Sequence, residues 1–189
     1  MKGGKTTRLL SILESAGRAC KCLYVNSIID ERNDIYSTHN PLLSQSLFDR
    51  ITATAMKVDK LRSINDDEYK KYEVICIDEG QFFPDLVDVV DHLVDNLGKE
   101  VYIAGLNSDF QRKSFGQLHL LLARADTIEL LRNACCDDCR LEGKRVPAIF
   151  SYRLDQSLRQ VVVGAENYMP LCRKCYLSRM SREMMNHSL

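Results

Sequence analysis

Val74, Ile75, Cys76 and Ile77 form an unbroken apolar run, and two carboxylates, Asp78 and Glu79, follow it at once. A short β-branched run between polar residues fits a strand buried on both faces, as in a parallel sheet covered by helices. That feature calls for a layered α/β fold and sets the acids at the carboxyl end of a strand. In open α/β sheets that edge is where ligands bind, and an Asp ending such a strand helps hold Mg²⁺ beside bound phosphates. Glu79 is left for another task, such as accepting a proton from an attacking hydroxyl or water. The plain alternative is a strand that ends at solvent with no chemistry attached.

A chain of 189 residues with 45% hydrophobic content can form one α/β domain with a modest appendage. Formal net charge is zero and the pI is near 6.9, so no overall basic field draws the chain to nucleic acid or to an anionic membrane. No apolar stretch approaches the roughly 20 residues of a membrane span, and no signal-peptide segment opens the chain. The expectation is a cytoplasmic protein whose ligands are small.

Met1 to Thr7 reads MKGGKTT, and Gly4-Lys5-Thr6 matches the end of a phosphate-binding P-loop, in which backbone amides and Lys cradle phosphates and the hydroxyl meets Mg²⁺. The first Gly of that motif would fall upstream of Met1, and no strand precedes the loop. The sequence therefore leads us to expect an upstream strand ending in Gly-Pro, and to expect the 189-residue form to be poorly stable and nearly inactive. The residues after the loop fit a helix: Leu9, Ile12, Leu13 and Ala16 recur at helical spacing, with Thr6 or Thr7 to open it and Gly17 to close it.

Cys20 to Val25 reads as the next strand, with Asp30 and Arg32 in the loop at its exit. Cys20 and Cys22 alternate across that strand and are read as packing thiols, not ligands. Tyr36 to Asn40 is a turn in which His39 is solvated, Ile51 to Met56 a strand near a sheet edge, and Val58 to Tyr69 an amphipathic helix. Pro84 starts a helix that Gly98 closes, and Val101 to Leu106 is a further buried strand. The loop Asn107 to Gly116 carries two aromatics and two cations. A base can stack on Phe110 or Phe115, with Arg112 or Lys113 against phosphate, or both rings can tuck under the loop as local core. A helix with Leu118, Leu121, Leu122 and Ala125 inward comes next.

Four of the eight cysteines form two C-x-x-C pairs, Cys136 with Cys139 and Cys172 with Cys175. In a reducing compartment two such knuckles supply four thiolates for a closed, tetrahedral, structural Zn²⁺ site, whereas Cys135 must point away. The segment between them holds strand-like stretches at Ala148 to Arg153 and Leu158 to Val163. A loop pinned at its base by zinc can be long without being floppy and can fold as a lid. The expected division is a P-loop α/β domain over residues 1–133, a zinc-binding domain over 134–178 and a disordered tail over 179–189.

Taken together, GKTT at the start, DERN near Asp30, IDEGQFFPD at the centre, DFQRKSFG in the aromatic loop, both knuckles and VVVGAENY before the second one resemble the type II thymidine kinases. The match runs in the family's order over nearly the whole chain. It implies an α/β fold with a mainly parallel sheet flanked by helices and a small C-terminal zinc-binding lasso. It further implies transfer of the γ-phosphate of ATP to the 5′-hydroxyl of thymidine, with thymidine and ATP as small-molecule partners in a homotetramer. Gly3, Gly4, Lys5, Thr6, Thr7, Asp30, Arg32, Asp78 and Gln81 would then hold ATP and Mg²⁺, and Glu79 would be the catalytic base. Phe110 would stack on thymine with Phe82 and Phe115 nearby. Arg159, Gln160, Val161, Val162 and Val163, with Tyr168, would grip the nucleoside largely through backbone groups. Cys136, Cys139, Cys172 and Cys175 would hold Zn²⁺ at the lasso's base. Ser114 stands where that family usually has Pro, and Val163 where Gly is common. The competing reading is a P-loop ATPase or helicase fragment; a third is a nucleoside-binding relic that cannot hold ATP.

Overall fold

The computed structural model describes residues 3–30, 51–132, 134–155, 157, 159–162 and 164–186; Arg32, the turn with His39, and Val163 lie outside them. The chain divides into two compact units, Gly4–Asn107 with Ser114–Ile128, and Met1–Gly3 with Ser108–Lys113 and Glu129–Leu189.

In the first unit, helix α1 (Lys5–Ala16) and strands β1 (Cys22–Ser27), β2 (Ala53–Val58), β3 (Val74–Ile77) and β4 (Glu100–Ile103) form the frame. The strands are all parallel, in the order β2-β1-β3-β4, and Leu23 lies opposite both Thr54 and Ile75. Side chains alternate across a strand, so Cys22, Tyr24, Val74 and Cys76 meet Leu9, Leu10 and Leu13 of α1 on one face. Leu23, Val25, Ile75 and Ile77 meet Leu86, Val90 and Leu93 on the other. All of β1 and β3 is buried, which is why Cys22–Val25 and β3 read as apolar runs without alternation, while β1 ends in the buried polar residues Asn26 and Ser27. Parallel strands end together, so the residues after β1 and β3 share one edge.

Several expected elements take a different form. α1 is opened by Gly4 at φ 86°, not by a capping threonine side chain. The helix expected over Val58 to Tyr69 is broken into a 3₁₀ turn, Leu61–Ser63, and one helical turn, α2 (Asp66–Tyr69). Val58 is needed to pair with Ser27, the Asp85 carboxylate accepts from the N–H groups of Leu61 and Arg62, and Asn65 caps the new turn through the Glu68 N–H. Helix α3 (Leu86–Asp91) comes after Pro84, continues as a π-helical stretch His92–Asn96, and is closed by Gly98 at φ +62°. The helix with four inward residues is a 3₁₀ segment, Leu118–Ala123, in which Leu121 is buried but Leu122 and Ala125 are exposed. A threefold repeat brings residues three apart onto one face, which removes Leu122 from the inner side.

The second unit contains α4 (Asp137–Leu141), an antiparallel ribbon of β5 (Phe150–Arg153) and β6 (Tyr168–Leu171), and α5 (Arg173–Asn186). Its core is Cys136, Cys139, Tyr152, Leu171, Cys172 and Tyr176. The strand expected over Leu158 to Val163 is absent among the described residues 159–162; β6 supplies the partner of β5 instead. The segment expected as a disordered tail is helical through Asn186, with Met180 packed on that core and Arg179 forked onto Asp138 at 2.6 and 2.9 Å.

Candidate functional site

In the first unit, α1 sets Lys5 and Thr6 beside the acids that end β3. The Thr6 hydroxyl donates to Asp78 Oδ2 at 2.6 Å, and Lys5 Nζ stands 3.9 Å from Glu79 Oε1. Asp78 is fully buried; its Oδ1 accepts from the Glu79 N–H at 2.8 Å, and its Oδ2 takes a second bond, from the Tyr24 hydroxyl, at 3.0 Å. Burial holds the Asp78 carboxyl above its usual range, with the Glu79 charge adding to the push and the Thr6 hydroxyl opposing it. A hydroxyl and a carboxylate converging beside a lysine are a fitting oxygen donor set for Mg²⁺ carried with phosphates.

Glu79 sits at φ 50°, ψ 42°, one of two non-glycine residues with positive φ among the described residues. Such a backbone turns the chain sharply and persists where the surroundings enforce it. Gln81 supplies part of that enforcement. Its Nε2 donates to Glu79 Oε2 at 2.6 Å while its Oε1 accepts from the Leu106 N–H at 2.9 Å. Gln81, expected among the ATP contacts, thus links Glu79 through one end of its amide to the Leu106 backbone through the other. Gly116 packs on the Gln81 main chain so closely that a Cβ there would stand 2.2 Å from the Gln81 carbonyl oxygen. The aromatic loop's closing glycine and the central DEGQ string are thus one local structure. Asp30 is buried at the exit of β1, where Asn26 Nδ2 donates to its carboxylate at 2.9 Å. Phe82 and Phe115 meet edge to face with centroids 5.6 Å apart.

In the second unit, the four thiols of Cys136, Cys139, Cys172 and Cys175 lie within 4.8 Å of one another, with Cys139 Sγ 3.6 Å from Cys175 Sγ and 3.9 Å from Cys172 Sγ. Four sulfurs at about 2.3 Å from a central Zn²⁺ stand about 3.8 Å apart, so the cluster fits a tetrahedral zinc site. The backbone N–H of Cys175 pulls the Cys172 thiol down to about 7, whereas burial pushes the Cys139 and Cys175 thiols up. Cys135 is outside the cluster and bridges to Pro147 through its backbone.

Phe110 is in this second unit. The Arg153 guanidinium lies over its ring, 3.8 Å from the centroid, and the Tyr176 hydroxyl donates to its carbonyl at 2.6 Å. Arg112, considered for phosphate, lies over the Tyr176 ring at 5.3 Å. Arg159, Gln160, Val161 and Val162 run beside Tyr168, whose hydroxyl donates to the Val162 carbonyl at 3.0 Å. Sequence reasoning missed Tyr24, Asp109 and Arg153. Tyr24 is hidden in an apolar strand, Asp109 in a loop of mixed polarity, and Arg153 looks like an ordinary strand-end cation until its burial is seen.

A sequence model of the thymidine kinase family matches residues 1–176. The cytosolic thymidine kinase of Bos taurus is 35% identical over 184 residues, covering 96% of this chain and 70% of its own length. That of Homo sapiens is 34% identical, covering 96% and 71%. The thymidine kinase of Sheeppox virus (strain KS-1) is 33% identical over 180 residues, covering 93% and 92%. No helix among the described residues is long and apolar enough to cross a membrane.

Proposed function

The chain belongs to the thymidine kinase family, and from that premise we propose that it is an ATP:thymidine 5′-phosphotransferase, producing dTMP. The observation that carries this reading is the convergence of Lys5, Thr6, Asp78 and Glu79 at the carboxyl edge of a parallel sheet. Gly3, Gly4, Lys5, Thr6 and Thr7 would cradle the ATP phosphates, with Asp30, Arg32 and Gln81 assigned to the same ligand. Thr6 and Asp78 would hold Mg²⁺, which when bound supplies charge neutralisation on the β- and γ-phosphates. Glu79 would accept the proton of the 5′-hydroxyl as it attacks, a role supported by its fixed carboxylate and by Gln81, which orients it. Lys5 would offset negative charge on the phosphates. Phe110 would stack on the base, and Arg159 to Val163 with Tyr168 would grip the nucleoside. The cysteine cluster would bind structural Zn²⁺, stiffening that unit so that less binding energy is lost to ordering.

By the same family reading the enzyme works in the cytoplasm as a homotetramer, without nucleic acid or membrane. The domain division carried by this proposal is a phosphoryl-transfer domain and, after it, a zinc-binding lasso. The test is transfer of labelled γ-phosphate from ATP to thymidine, with deoxyuridine and deoxycytidine alongside. Phosphorylation of thymidine is expected. ATP hydrolysis stimulated by nucleic acid, with no nucleoside phosphate formed, would replace this reading with that of a P-loop ATPase.

A further inference from the structure

Arg153 ends β5 with its side chain only 1% exposed. A guanidinium taken out of water must have its donors satisfied, normally by carboxylates. Here the terminal nitrogens are met mostly by main-chain carbonyls of one short segment, while Nε has the Asp155 carboxylate at 3.8 Å and no hydrogen-bond partner among the described residues. One terminal nitrogen donates to the carbonyls of Ser157, at 3.0 Å, and Arg159; the other donates to the carbonyl of Gln160 at 3.0 Å and to the Tyr168 hydroxyl at 2.5 Å. Tyr168 passes the connection on to the Val162 carbonyl at 3.0 Å. The buried fork thus holds three carbonyls, those of Ser157, Arg159 and Gln160, and through Tyr168 a fourth, that of Val162.

The consequence for recognition is geometric. In a trans peptide the C=O and the next residue's N–H point to opposite sides. Drawing the carbonyls of Arg159 and Gln160 onto Arg153 therefore turns the N–H groups of Gln160 and Val161 away from it. The face of the same guanidinium covers one face of the Phe110 ring, so the fork also fixes that ring. A second tie reinforces the first. Gln160 Nε2 donates to Asp109 Oδ2 at 2.9 Å, while Asp109 Oδ1 accepts from the N–H groups of Gln111 and Lys113. Phe110 and the backbone of 159–162 are joined through Arg153 and Asp109.

We infer that Arg153 is the positioning residue for nucleoside binding: it sets the backbone amides of the gripping segment and one face of Phe110 in place before the ligand arrives. This rests on the nucleoside-kinase reading above. Lysine cannot substitute, because a point-charge ammonium lacks the planar fork that spans several acceptors at fixed angles.

The test compares the full-length parent with Arg153→Lys and Arg153→Ala, measuring zinc content, melting, the KM for thymidine and for ATP, kcat, and hydrogen exchange of 157–162 without ligand. Expected for Arg153→Lys is parent-like zinc and melting, faster exchange at Gln160 and Val161, and a thymidine KM raised about tenfold or more. The ATP KM and kcat should stay within about threefold. In Arg153→Ala, millimolar methylguanidinium should recover part of the thymidine KM. A thymidine KM within about twofold of the parent, with zinc retained, overturns the inference. So does loss of zinc or folding in both variants, which would make Arg153 a residue of the fold alone. A parent that phosphorylates no nucleoside defeats the kinase reading instead, and unchanged exchange in Arg153→Lys would still separately refute the pinning.

Discussion

Gly116→Ala is the substitution whose effect is most fully fixed by the geometry. Gly116 sits at φ +59°, so any L residue there carries backbone strain of about 1 kcal/mol. The added Cβ would also lie 2.2 Å from the Gln81 carbonyl oxygen and 2.9 Å from its Cα. Ordinary contact requires a separation of about 1 Å more, and forced overpacking of that kind adds roughly 2 kcal/mol. The total is about 3 kcal/mol, or about 6–12 °C in melting temperature for a protein of this size. The atoms that must move belong to Gln81, whose side chain holds Glu79, and a displacement of about 1 Å at a reacting group can cost on the order of 100-fold in rate. Gly98→Ala is the control. It has nearly the same φ, +62°, but nothing within 4 Å of the added Cβ, so it should lose only about 1 kcal/mol and keep its turnover. Thermal melts of parent and both variants, with kcat for thymidine at saturating ATP, decide the matter. If Gly116→Ala melts together with Gly98→Ala and retains parental kcat, contact between Gly116 and Gln81 does not govern Glu79.

Glu79→Gln should abolish turnover while thymidine binding by calorimetry persists, because the amide is nearly isosteric but cannot take the proton; a rate within about threefold of the parent would remove Glu79 from the base role. Tyr24→Phe keeps the buried ring and deletes one of two donors to Asp78 Oδ2, so the Mg²⁺ needed for half-maximal rate should rise about tenfold at unchanged thymidine KM. An unaltered Mg²⁺ requirement would count against that hydroxyl as a support of the site. Cys139→Ser or Cys172→Ser should lose zinc and raise the thymidine KM before the sheet unit melts, because none of the four thiols belongs to that unit. Metal analysis under reducing conditions that finds no zinc in the parent would end the metal assignment.

Sequence pattern alone determines the features that depend on local order. Four consecutive apolar residues from Val74 define a strand covered on both faces, and the next two residues must then stand at its carboxyl end. Two C-x-x-C pairs define a four-thiol cluster, because each knuckle brings its own two sulfurs together whatever the intervening chain does. Helix and strand detail fails where long-range contacts outbid local preference: Val58 goes to a strand because Ser27 is there to pair with it, and the segment after Leu118 tightens to 3₁₀. Residues 179–186 look too polar to order themselves, yet they form a helix that Asp138 and the cysteine core hold. The supports of the site were legible least of all. Tyr24 beneath Asp78, Gly116 against Gln81 and Arg153 across three carbonyls are pairings between residues distant in sequence or without a motif. A motif names the group that reacts, but the burial and orientation that make it useful come from neighbours only the folded chain brings together.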